Sequence, residues 1–159
     1  MVLLPVTVIG WTLVTAALLQ GSTVPGLLSL IPLSVLIAGF EAIHALNVGV
    51  ERIGRYLQVY FEGSPDGPMW ETTAMSVGPG LPGGGIDPLF TVVFTAASVL
   101  NLVLTIPDLG TMTEFVVVLP VHAIFWIRVI RARGAAARQR AVDLETFRAV
   151  KSGQDQART

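Results

Sequence analysis

FEAIHALNVGVERIGRYLQVYFE, residues Phe40 to Glu62, decides how this chain is threaded. At about 100° per residue, Glu41, His44, Asn47, Glu51, Arg52, Arg55, Gln58 and Glu62 fall inside an arc of about 140°. Ile43, Leu46, Val50, Ile53, Leu57 and Phe61 lie opposite. The spacing predicts one long amphipathic helix. The residues before it, Pro25 to Phe40, are apolar apart from two serines. The helix is therefore expected to start in a membrane and to continue out of it. Beside the polar face, Ala38, Ala42, Ala45 and Gly49 share a narrow stripe. Small residues at this spacing let another helix approach closely, as in ordinary bundle packing.

Composition supports a membrane class. The chain has 159 residues, of which 52% are apolar and only 13% charged, and its mean hydropathy is +0.69. A soluble domain carries about 25% charge. With no cysteine, disulfides, thiolate metal sites and thiol nucleophiles are excluded. The net charge of −1 points to no partner by itself.

A span needs about 20 mostly apolar residues, and four stretches qualify, at about 2–20, 25–50, 88–106 and 114–131. The first has the apolar core of a signal peptide. It lacks a positive leader and a clean small-x-small site, so it reads as a retained transmembrane helix. Ser22 and Thr23 before Pro25, and Asp87 before Pro88, read as helix starts. Thr111 with Glu114 reads as a capping box opening the fourth span. All ten basic residues lie in the last turn of the fourth span or follow the second or the fourth span. With four spans they share one face of the bilayer, and the positive-inside rule makes that face cytoplasmic. The expectation is an all-α, integral membrane four-helix bundle in a bacterial-type inner (plasma) membrane, with both termini cytoplasmic. Residues 1–133 form the bundle, including a cytoplasmic helix extension and loop over 51–87, and 134–159 form an amphipathic cytoplasmic tail, expected as a C-terminal tail helix. Within the loop, glycine- and proline-rich runs flank Trp70 and Glu71, and Trp70 suggests a dip toward the headgroups.

Depth sorts the polar residues. Glu41 lies about 24 Å of helix rise below Pro25, inside the hydrocarbon toward the inner leaflet. A carboxylate there must be neutral, paired or in a wet cavity. The same count puts Arg128 about 21 Å below the outer surface, so Arg128 is the expected partner of Glu41, with His44 adjacent. The bland alternative is a structural ion pair with Arg128 snorkelling to the headgroups. Glu51 and later residues should be wet, with Glu51 and Arg55 paired at i,i+4. His122 and Asn101 reach similar depths, about 12 Å below the outer surface, and should form a separate polar layer or a packing hydrogen bond.

These residues define the candidate ligand- or ion-binding set: Glu41, His44, Glu51, Arg55 and Arg128. Glu41-x-x-His44 also matches the carboxylate–histidine pair of di-iron bundles. A full site needs a second such pair, which the sequence lacks, so the metal reading reduces to Glu41 and His44 with a loop carboxylate such as Glu71. The glycine turn before Pro88 lacks the lysine of a phosphate loop. No cofactor class follows, and the basic tail is explained by topology without nucleic acid. The first functional expectation is a non-enzymatic membrane protein, a homo-oligomer or a subunit among other membrane chains, whose helix-two polar face lines a site for an ion, proton or small polar ligand near the inner leaflet. The alternative is a membrane-embedded enzyme acting on a lipid or quinone-like substrate there, with Glu41 and His44 as acid–base or metal-binding groups.

Overall fold

The computed structural model describes residues 2–21, 26–62, 69–77 and 88–157. The helix starts expected at Ser22, Thr23, Pro25 and Asp87 lie outside them. Every regular element among the described residues is helical: α1 over Leu3–Leu19, a 3-10 turn over Gly26–Ser29 leading into α2 over Leu30–Tyr60, α3 over Trp70–Val77, α4 over Pro88–Thr105, and α5 over Met112–Gln156. Two helical stretches, Gly26–Tyr60 and Met112–Gln156, are long and apolar enough to cross a membrane, while Leu3–Leu19 and Phe90–Thr105 are apolar but shorter. The sequence suggested a separate tail helix after Arg133, but α5 runs through that point without a break. The GAAA run at residues 134–137 contains one glycine among good helix formers, too little to stop it.

The chain divides into two compact units. The first comprises Met1–His44 and Pro88–Arg131. Its core is aromatic. The Phe40 ring meets Phe94 at 5.4 Å and Phe125 at 5.8 Å, both edge-to-face, the arrangement that ring quadrupoles favour. Phe40 thereby joins α2 to α4 and α5, with Leu33, Leu36 and Val118 fully buried around it. Helix α1 joins through Thr7 and Trp11. On α2 the Thr7 side chain lies against Gly39, where any Cβ would collide with it. Gly39→Ala is therefore expected to push α1 off α2 and to cost about 1.5 kcal/mol as overpacking, read as a lowered unfolding midpoint in detergent. The start of α5 is capped as expected: the Glu114 N–H donates to Thr111 Oγ1 at 3.3 Å, and Thr111 N–H donates back to Glu114 Oε2 at 3.1 Å. Glu114 Oε1 also accepts the Gly26 N–H at 2.9 Å, tying the start of the 3-10 turn to that of α5.

A polar node sits in the same unit. Asn101 Oδ1 accepts from Trp11 Nε1 at 3.3 Å, and Asn101 Nδ2 donates to the Ser29 carbonyl at 3.1 Å. The same amide nitrogen lies 3.2 Å from His122 Nε2, while His122 Nδ1 lies 2.9 Å from the Val118 carbonyl. A carbonyl only accepts, so Nδ1 carries the hydrogen and Nε2 accepts from Asn101. His122 and Asn101 are buried. Depth counting had brought these two to one level.

The second unit comprises Ala45–Asp87 and Ala132–Thr159. The later half of α2 and the later half of α5 are joined by Arg52–Asp143 at 3.1 Å, Arg140–Glu51 at 3.5 Å and the Tyr56–Phe147 ring contact at 5.8 Å. Lys151 Nζ donates to the Val59 carbonyl at 2.7 Å near the end of α2, the favourable end for a cation. The short helix α3 is held by Glu62, whose carboxylate accepts the backbone N–H groups of Glu71 and Thr72 and the Thr72 hydroxyl. This is an N-terminal cap supplied from the bend that follows α2. Burial alone would push the Glu62 carboxyl up, but the bonds from Thr72 and Glu71, with the Arg55 charge, outweigh it and hold it below its ordinary 4.5. A depressed carboxyl stabilises the fold above its unfolded value and loses that effect as pH falls through the folded value. Backbone amides of α3 are therefore expected to exchange with solvent at an unchanged intrinsic-corrected rate above pH 4.5 and faster below it, and Glu62→Gln should show the fast behaviour already at neutral pH.

Candidate functional site

Three of the candidate residues come together in the first unit. Glu41 and His44 stand one turn apart on α2, and α5 brings Arg128 to them: Arg128 Nη2 donates to Glu41 Oε2 at 2.8 Å. The charge-assisted geometry is that of a strong hydrogen bond. The guanidinium also lies over the Phe40 ring, 5.6 Å from its centroid, within cation–π range. Arg128 is thus held between a carboxylate and an aromatic face that is itself locked in the core. The other face of the arrangement is His44, stacked on Phe40 with ring planes 5° apart. His44 Nδ1 is buried and has no hydrogen-bond partner among the described residues. The Glu41 and Arg128 side chains are both part-exposed, 44% and 38%, so the pair lies at the surface of its unit with one side open.

Glu51 and Arg55 belong to the second unit and do not pair with each other as expected. Arg55 Nη2 donates to Glu71 Oε2 at 3.0 Å, and its Nη1 contacts Met75 Sδ. The Arg55 side chain is 4% exposed, and a buried guanidinium takes the carboxylate that α3 carries to it over one on its own helix. Glu51 is left to Arg140 of α5. Burial pushes the Glu51 carboxyl up, against the pull of Arg140 and Arg55. Both residues are therefore engaged in holding helices together. The local i,i+4 reading failed because two more distant segments, α3 and the continuation of α5, supply better partners. Glu71, the loop carboxylate considered for a metal, is occupied by Arg55, and among the described residues no group of three or more His, Asp and Glu side chains converges as a metal would require.

Two contributors carried no signal in the sequence. Phe40 is the platform under both Arg128 and His44, but a phenylalanine in an apolar run looks like any core residue. Glu62 looked like the tail of the polar face, and its role depends on α3.

No protein-family model, curated protein or solved structure matches this chain. The reading of the site therefore rests on its geometry. An ion pair next to a histidine with a free buried ring nitrogen offers one fixed cation, one fixed carboxylate and one group able to take or release a proton. A site of this kind can bind a small polar species or hand on a proton.

Proposed function

We infer that the chain is a small integral membrane protein whose four apolar helices form a bundle in a bacterial-type inner membrane, with both termini cytoplasmic, and whose Glu41, His44 and Arg128 form a site for a proton, an ion or a small polar ligand toward the inner leaflet. The observation that carries this is the open-sided Glu41–Arg128 pair with the unpartnered His44 Nδ1 beside it. The two long apolar helices and the placement of every cation at the end of the fourth span or after the second or fourth span support the threading. Helix α1, at 17 residues, reaches about 25 Å, the short end of what a span requires. The Glu51–Arg140 and Arg55–Glu71 pairs belong to the cytoplasmic side and support the helices there.

Proteoliposomes carrying a trapped pH-sensitive dye test the reading. The wild-type chain is expected to collapse an imposed pH gradient, and Glu41→Gln and His44→Leu are each expected to slow the collapse at least tenfold while leaving the helical circular dichroism unchanged. Equal rates in wild type, both variants and empty vesicles would rule out proton passage, and the same liposomes assayed with a labelled cation decide whether an ion takes its place.

A further inference from the structure

We propose that the later part of α2 carries a docking seam for a second copy of this chain, packed parallel about a two-fold axis. Leu46, Val50, Ile53, Leu57 and Phe61 recur at steps of four, three, four and four, which keeps them within an arc of about 80°. All five are exposed, Val50 at 68%, Ile53 at 62% and Phe61 at 63%, and the arc holds no charged residue. The neighbouring faces of α2 are covered. Helix α5 is attached through Arg52, Glu51 and Tyr56, and α3 through Arg55 and Glu62. The apolar face is left open, while Arg52 and Tyr56 keep part of their surface exposed beside it.

The proposal rests on the membrane reading for its geometry, and that reading also restricts what covers the seam. If the second span ends at Val50, helix rise puts Leu57 about 10 Å and Phe61 about 17 Å farther on. The headgroup layer on one side is about 5–8 Å thick. Lipid can cover Leu46 and Val50 but not Leu57 and Phe61. Trp70, held beside Glu62 through the Glu71 N–H, is placed past the headgroups by the same count rather than among them. A protein surface is needed, and three features make it this same surface. First, Leu46, Val50, Ile53 and Leu57 follow the alternating four–three spacing of a coiled-coil seam, with Val50 and Leu57 at one core position and Leu46 and Ile53 at the other. Such a seam is complementary to itself across a two-fold, and two copies threaded alike through one membrane present it in parallel. Second, the five side chains expose roughly 500 Å² per copy, so that a pair buries roughly 1,000 Å², the lower bound for a specific interface. Third, Gly49 sits mid-helix at the edge of the seam, and a Cβ built there meets nothing within 4 Å. A helix-weakening residue with no use inside the chain is accounted for by close approach of a second backbone.

The absence of cysteine makes a direct test available. Single substitutions Ile53→Cys and Leu57→Cys are made in the full chain, with Ala141→Cys on the exposed side of α5 as the control, and membranes are oxidised with copper phenanthroline. The seam variants are expected to form at least fivefold more disulfide dimer than the control. Adding Gly49→Leu to Ile53→Cys is expected to remove most of that dimer, because the isolated chain has room for the side chain and remains folded, as a monodisperse detergent extract would verify. Equal yields at seam and control, no dimer from the seam, or a seam adduct with the mass of a different protein each overturns the proposal. Alkaline carbonate extraction of the same membranes separates its failure from that of the membrane reading. A chain that stays in the pellet without cross-linking defeats the seam alone, and a chain released into the supernatant defeats the threading.

Discussion

Asn101→Leu is expected to destabilise the first unit by about 3 kcal/mol. Leucine shares the branched skeleton of asparagine but is larger, so at this buried position overpacking adds to the loss of hydrogen bonding. The substitution removes the acceptor of the Trp11 indole, the donor to the Ser29 carbonyl and the donor facing His122 Nε2. Each buried group left without a partner costs about 1–3 kcal/mol. Interhelical bonds inside membranes average nearer 0.6 kcal/mol, with a maximum around 1.7, so three of them range from about 1.8 to about 5 kcal/mol and bracket the figure above. The node resists repair. Rotating the amide would aim its NH2 at the indole N–H and its oxygen at the Ser29 carbonyl. Unfolding midpoints in detergent micelles measure the effect, and the Trp11 contact predicts that α1 loosens first, seen as early proteolysis in that helix. A loss below about 0.5 kcal/mol would mean that water already serves these groups.

The Glu41–Arg128 pair gives the second large effect, through a double-mutant cycle. Glu41→Gln leaves Arg128 charged, with a neutral amide oxygen and the Phe40 ring beside it. Arg128→Leu leaves Glu41 without its cation. Each single change is expected to cost about 2 kcal/mol if lipid surrounds the pair, below the cost of a charge at the bilayer centre because both groups can reach toward the interface. Glu41→Gln with Arg128→Leu removes both charges and is expected to recover most of the loss, ending within about 1 kcal/mol of wild type. If bulk water bathes the pair, each single change costs no more than about 0.5 kcal/mol and nothing remains for the double to recover. The cycle thus reads the surroundings of Glu41 directly, and combined with the flux assay it separates a packing role, in which the double variant works, from a binding role, in which it does not.

What was legible in the sequence follows a physical division. Signals confined to one helix, or to distance counted along helix axes, were readable. Thr111 and Glu114 are three residues apart and found each other. Counting helix rise brought Arg128 to Glu41 and Asn101 to His122 before any packing was considered. Contacts that depend on how segments fold back were not readable. Nothing near Arg55 announced that α3, between two glycine- and proline-rich runs, would return Glu71 to it, and nothing near Glu51 announced Arg140. Within the chain the small-residue stripe takes no neighbouring helix among the described residues: Ala38, Ala42 and Ala45 are exposed, and α1 approaches α2 at Gly39 instead. Periodicity identified the faces of α2 but not which neighbour would take each one.

The three tryptophans occupy unlike surroundings, and this equips the protein with built-in optical reporters. Trp11 is 8% exposed and bonded to Asn101, Trp126 donates to Ser98 at 3.1 Å, and Trp70 on α3 is 75% exposed. Iodide added to the buffer should extinguish the red-shifted part of the emission, from Trp70, and spare the other two. Unlabelled native chain would then show by intensity alone when α3 lets go of Glu62, and by wavelength when the indole of Trp11 leaves its amide.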